Sequence, residues 1–243
     1  MCLGPLRFHP LLAGARPLDR LRACIGALAA IAIVAAASAA ALGSVTSIWL
    51  VAPIGASAVL VFAVPASPLA QPWPVVGGNM LSALVGVAIA KTIGATGLSA
   101  ALSVGLAIAA MSIARCLHPP GGAAALTAVF GGPAVHALGW GFPFLAVGLN
   151  SLLLVVVGMA FHRLSGHSYP HRAVAVSHDL QSIATRNLDA ADIEAVLDEL
   201  GEAFDIGIED LATIVRAVER RAATRDRHGA DDAHEADHIC HAA

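Results

Sequence analysis

Carboxylates are missing from most of this chain. No Asp or Glu occurs between Asp19 and Asp179, and from Ala23 to His162 the only Lys or Arg residues are Lys91 and Arg115. Charged residues make up 13% of the whole and hydrophobic ones 57%, whereas a soluble domain carries roughly 25% charged residues. A charge desert of that length is too long for one buried core, so lipid is the expected solvent. The missing carboxylates also argue against a carboxylate-based metal-cation carrier and a carboxylate proton relay. Cysteine is scarce: Cys2, Cys24, Cys116 and Cys240 stand apart with no paired spacing. Neither a disulfide framework nor a zinc site follows from them. Basic clusters interleaved with aromatics are absent, which speaks against a nucleic-acid partner. No P-loop, nucleophile elbow or dinucleotide fingerprint occurs, so the expectation is a non-enzyme with no cofactor and no metal.

The pattern predicts an all-α, polytopic transmembrane helical bundle. A short arm covers residues 1–20, a transmembrane domain 21–164, a linker 165–188, a helical pair 189–222, and a disordered acidic, His-containing tail 223–243. Six apolar segments are expected at 23–42, 46–64, 75–93, 98–114, 119–138 and 142–162. The first is too long for a signal-peptide core of roughly 7–15 residues and reads as a retained span. Segments two and five carry Pro53 with Gly55, and Pro119-Pro120-Gly121-Gly122. Both are expected to be broken helices, which survive at membrane depth only where protein or a water-filled cavity covers them.

The chain repeats itself. Pro53-Ile54-Gly55-Ala56-Ser57-Ala58-Val59 resembles Pro120-Gly121-Gly122-Ala123-Ala124-Ala125-Leu126, and Pro72, Gly77, Asn79 and Leu81 recur as Pro143, Gly148, Asn150 and Leu152. Three crossings per unit would make this a 3+3 inverted repeat, a common transporter plan. Arg7, Arg16, Arg20 and Arg22 precede segment one, and Arg163 and Arg172 follow segment six. The positive-inside rule places both termini in the cytoplasm of a multi-pass protein of the cell (inner) membrane. An even number of crossings follows. Charge does not choose between six and four, and the apolar length of segment two favours six.

The site is expected where segment five opens. Pro119 and Pro120 suit a first helical turn, whose N–H groups lack intrahelical partners. Gly121 and Gly122 admit close approach of backbone or ligand. Unpaired N–H groups at the positive end of a helix dipole favour an anion. Arg115 and His118 stand just before, and an intramembrane cation without a protein counter-ion invites an anionic ligand. The repeat adds Gly55 and Ser57, and Asn79 and Asn150 stand on the helices that follow. Plainer roles stay open for each: Arg115 as an end-of-helix anchor, His118 bonded to a backbone carbonyl, the Pro-Pro-Gly-Gly run as a turn, the asparagines as interhelical glue. Lys91 reads as a snorkelling anchor and Trp49, Trp73 and Trp140 as interface markers.

The stretch Arg115-Cys116-Leu117-His118-Pro119-Pro120-Gly121-Gly122, together with Ala52-Pro53-Ile54-Gly55-Ala56-Ser57, Ser67-Pro68-Leu69-Ala70-Gln71-Pro72 and Val76-Gly77-Gly78-Asn79, resembles the HPP family of integral membrane proteins, named for its His-Pro-Pro motif. The resemblance covers roughly residues 15–165. It implies four spanning helices in the usual family description, and, through plant relatives linked to nitrite transport in plastids, a transporter or channel for a small inorganic anion such as nitrite. The expected partners are therefore the lipid bilayer and a small anion, with a homo-oligomer left open. The alternative is a non-transporting membrane sensor or scaffold acting through its cytoplasmic tail. There, helices are expected from about Ala190 to Ala203 and from about Glu209 to Ala222. His228, His234, His238, Cys240 and His241 read as part of a solvated acidic end.

Overall fold

The computed structural model describes residues 17–42, 51–171, 190–200, 206, 211–219 and 221, all helix, turn or connecting segment, with no strand among them. Helix α1 is Pro17–Leu42. Helix α2, Pro53–Ala63, starts on Pro53, where the missing N–H costs nothing. A π-helical turn, Pro74–Gly78, leads into α3, Asn79–Ile93. Helix α4, Gly97–Ile113, begins where the Thr96 hydroxyl accepts the Ser99 N–H at 3.1 Å. Helix α5, Pro120–Phe130, opens on Pro120, and a short α6, Gly132–Leu138, follows. A second π-helical turn, Phe142–Gly148, leads into α7, Leu149–Ser165. In the tail, α8 spans Ala190–Leu200 and residues 211–219 are helical, within the two helices expected there. The expected acidic, His-containing end, 223–243, and most of the expected linker lie outside the described residues.

Not every expected segment is a full-length span. Among the described residues three helical stretches are long and apolar enough to cross a bilayer: Pro17–Ala40, Pro74–Ile93 and Gly132–Ser165. The last is interrupted by Gly139 at φ 49°. Pro53–Ala63, Gly97–Ile113 and Pro120–Phe130 are shorter. Within the described part of segment two, Val51 and Ala52 are non-helical and α2 begins at Pro53. Residues 46–50 of the segment lie outside the described part.

Hydrogen bonds define two ends of the bundle. At one end, Arg20 on α1 donates to the carbonyl of Ala63, where α2 stops (3.2 Å). His162, near the end of α7, donates from Nε2 to the Val61 carbonyl (2.8 Å). Trp73 donates to the Ala114 carbonyl just past α4 (3.2 Å). The Tyr169 hydroxyl reaches the Ala70 carbonyl (2.8 Å). Burial pushes the Tyr169 phenol above its ordinary range, which keeps it a donor. At the other end, Lys91 on α3 lies beside Gly139, and His136 on α6 donates from Nε2 to the Val129 carbonyl (3.0 Å). The start of α1, the ends of α2, α4 and α7, and the start of α3 therefore share one end. Helix α2 runs back toward the end from which α1 departs.

The packing has an internal order. Helix α2 packs on α1, α5 and α7, while α5 packs on α4, α2 and α3. Helix α1 also meets α7, and α4 meets α3. Exchanging α1 with α4, α2 with α5 and α3 with α7 maps the α2–α5 pair onto itself and each of the other pairs onto another of them. Helices α2 and α5, both 11 residues long, form the centre. The α3–α5 seam is tight because Gly86 lets α5 approach. A Cβ there would lie 2.5 Å from the Ala125 carbonyl oxygen and 2.7 Å from Ala128 Cβ.

Candidate functional site

Three elements converge on His118, which is 0% exposed. It sits in the connection between α4 and α5, where Cys116, Leu117 and His118 are non-helical. Its Nδ1 lies 2.8 Å from the Leu69 carbonyl, which accepts only, so Nδ1 carries a hydrogen. Its Nε2 lies 2.8 Å from Ser57 Oγ on α2. The Ser57 hydroxyl also lies 3.0 Å from the Pro53 carbonyl and accepts from Asn79 Nδ2 at 3.0 Å. That hydroxyl has one hydrogen. If His118 is neutral, Nε2 needs it. If His118 is doubly protonated, Nε2–H donates to Ser57 and the hydroxyl turns to Pro53. The direction of the Ser57 O–H is thus tied to the protonation of His118.

From Asn79 the network continues to Ser151 Oγ on α7 (3.3 Å). Nearby in sequence, Asn150 accepts from Ser38 on α1 at 2.7 Å. All these side chains are buried. Among the described residues, two polar atoms in this region have no hydrogen-bond partner: Asn79 Oδ1 and Ser82 Oγ. They stand three residues apart on α3, hence on one face. Ser82 faces the first turn of α5, since a Cβ on Gly121 would lie 2.6 Å from Ser82 Oγ. An unsatisfied buried polar group costs about 1–3 kcal/mol. When His118 is doubly protonated the Asn79 amide can rotate, because the Ser57 hydrogen is then released from Nε2 and can be donated to Oδ1. The rotated amide would offer an N–H₂ donor where Oδ1 now lies.

The ten residues singled out in the sequence fall into two groups. His118, Ser57, Asn79, Gly121 and Pro120 are buried together around the network, and Asn150 is buried on α7 with Ser38. Arg115, Pro119 and Gly55 are exposed, and Gly122 is half-buried. A Cβ on Gly55 would meet nothing within 4 Å. Arg115 stands just past α4 at φ 53°, a conformation that only Gly adopts freely. The N–H groups of Gly121, Gly122 and Gly55 are already bonded, to the carbonyls of His118 (2.9 Å), Pro119 (3.1 Å) and Ala52 (3.0 Å). The donors beside the two unpartnered atoms are therefore side chains. Sequence reasoning passes over Ser82, Ser151 and Ser38. The spacing of Ser82, three residues after Asn79, is the signal that could have found it.

The profile of the HPP transmembrane region matches residues 13–170. The chain belongs to the HPP family. Two transmembrane proteins of Dictyostelium discoideum are similar to it. One is 39% identical over 117 residues, 46% of this chain and 37% of the relative. The other is 42% identical over 112 residues, 44% of this chain and 38% of the relative. The match thus spans less than two-fifths of each of those proteins. No solved structure matches the chain. This HPP protein is a multi-pass, all-helical membrane protein, and its signature His118-Pro119-Pro120 forms the entry to α5.

Proposed function

We propose that this HPP protein is a transporter or channel for a small inorganic anion, nitrite being the first candidate by family resemblance. The observation that carries the reading is the buried cluster of Asn79, Ser82, Ser57 and His118. It lies where two Pro-opened helices meet and holds two unsatisfied polar groups, in a stretch without a single carboxylate. The Ser82 hydroxyl, joined by the Asn79 amide once it is rotated, offers donors with no competing negative charge, which suits an anion. The exchangeable packing of α1–α2–α3 with α4–α5–α7 supports an inverted 3+3 repeat with its site at the repeat interface.

Six crossings with both termini in the cytoplasm is the topology this reading requires. Helix α2 ends beside the start of α1, which a re-entrant α2 would not do. Ser67 and Ser99, in the connections on the two sides, are both buried, so the exposed neighbours Pro68 and Ala95 are better probes. In a background without native cysteines, Pro68→Cys should label from the cytoplasm and Ala95→Cys from outside. The reverse pattern is the four-crossing result.

Arg115 holds a left-handed backbone that costs a non-glycine residue roughly 1–2 kcal/mol, and its guanidinium lies exposed. Backbone strain of this kind clusters at functional positions. Arg115→Gly is therefore expected to be at least as thermostable as the native chain yet deficient in anion flux. Arg115→Lys should keep part of the flux, because it retains charge but loses the planar donor fork. Full flux in Arg115→Gly would remove Arg115 from the pathway.

A further inference from the structure

A cavity lies at the end of the bundle opposite the end where α2, α4 and α7 stop. It holds about 210 Å³. Its floor is apolar, from Val87 on α3, Ala128 on α5 and Val135 on α6, and its polar groups are Lys91 and His136. Among the described residues no carboxylate lines it. Among the described residues the Lys91 ammonium has no hydrogen-bond or ion-pair partner. His136 engages the Val129 carbonyl through Nε2, which leaves Nδ1 unengaged. The rim is closed by Gly139 at φ 49°. A side chain there would be strained, and its Cβ would lie 3.3 Å from Lys91 Nζ. Glycine at this corner keeps the ammonium clear. Lys91 stands on the same helix as Asn79, about 18 Å further along at 1.5 Å per residue.

The other half of the chain carries a counterpart. Lys91 is twelve residues after Asn79, and His162 is twelve residues after Asn150. His162 also lines a cavity, beside Phe62 and Ala63 of α2 and Arg20 of α1, but that space holds only about 20 Å³, room for about one water. There the His162 ring is tied to the Val61 carbonyl. Equivalent positions thus line a roomy cavity at one end and a much smaller one at the other.

We propose that the Lys91–His136 cavity is an oxyanion-binding site, with Lys91 as the charge that holds the ligand. A role for the cavity as a vestibule to the pathway rests on the transport reading; the binding site itself does not. The ligand is either a free inorganic oxyanion or the phosphate of an anionic lipid headgroup, since both offer the same chemistry to Lys91.

Trp140 follows Gly139, which lines the cavity, and is exposed, so it serves as a probe beside the rim. The full chain carrying Trp49→Phe and Trp73→Phe is purified in maltoside micelles, which contain no phosphate. Nitrate, an oxyanion that quenches indole fluorescence on contact, is titrated in. The expected result is saturable quenching of Trp140. Lys91→Met should weaken half-saturation about tenfold or leave only a linear dependence, and His136→Ala should weaken it less. Quenching by neutral acrylamide should stay the same in every variant, which verifies that the fold around Trp140 is intact. In nanodiscs containing phosphatidylglycerol, saturation that persists identifies a free-anion site, and saturation that disappears identifies a headgroup-phosphate site. Linear, Lys91-independent quenching in micelles overturns the proposal. The readout needs no flux, so an inactive transporter and an absent site give different results.

Discussion

His118→Ala is expected to destabilise the folded protein by about 3–5 kcal/mol, measured by reversible denaturant titration in detergent. The substitution leaves the part-buried Leu69 carbonyl without its donor, worth up to about 1–3 kcal/mol. It also empties the volume of an imidazole at a fully buried position, and cavities of that kind cost about 2 kcal/mol or more. Three elements lose their common strut: the Leu69 segment, α2 through Ser57, and the entry to α5. His118→Asn tests the assignment of the two ring nitrogens. Its amide can reach the Leu69 carbonyl but not Ser57, so it should recover a substantial part of the loss. A cost below about 1 kcal/mol for His118→Ala would mean that the ring does not hold these elements together.

Two glycine substitutions should act with opposite sign. Gly86→Ala places a methyl 2.5 Å from the Ala125 carbonyl oxygen and 3.0 Å from Ala125 Cα. Both are backbone atoms of α5 and cannot rotate away, so α3 and α5 must part. Overpacking of this kind costs about 1–3 kcal/mol. The same seam brings Ser82 against the first turn of α5, so anion flux should fall as well. Gly55→Ala meets open space on an exposed helical face. It should be neutral or stabilising by up to about 1 kcal/mol, the usual gain of Ala over Gly inside a helix. Flux should be unaffected, because Gly55 points away from the buried cluster. Equal losses in both variants would contradict the placement of α2 and its outward glycine.

Much of the helical layout is legible in the amino-acid sequence. Prolines at 53 and 120 mark the two helix starts because proline suits a first turn and nothing later. The glycine that ends α3 (Gly94, φ 85°) and the one that ends α7 (Gly166, φ 84°) mark the stops. The shared offset from Asn79 to Asn150 matches the two helices that follow π-helical turns. The environment of individual residues is less legible. His118 is set by a carbonyl 49 residues away in sequence, a contact that no local pattern encodes. Gly55 and Gly121 occupy nearly matching places in the repeat, yet one faces outward and the other faces Ser82. Burial depends on which neighbouring helix is close, and local spacing does not record that. Lys91 reads as an anchor from its position at the end of α3, because the cavity beside it is built by α5 and α6, far along the chain. Serine is common in membrane helices, so Ser82 and Ser151 stand out only through the partners that the fold brings to them.

Transport itself is tested by reconstitution. The purified chain is placed in liposomes, and nitrite entry is followed with an enclosed reporter against protein-free vesicles. Flux well above the empty vesicles is expected, strongly reduced in Arg115→Gly and in Gly86→Ala, and unchanged when residues 223–243 are removed. Absence of flux for nitrite and other small inorganic anions, from folded and correctly inserted protein, would contradict the transporter reading. A partner retained by residues 189–222 under the same conditions would then place the protein's action in its tail.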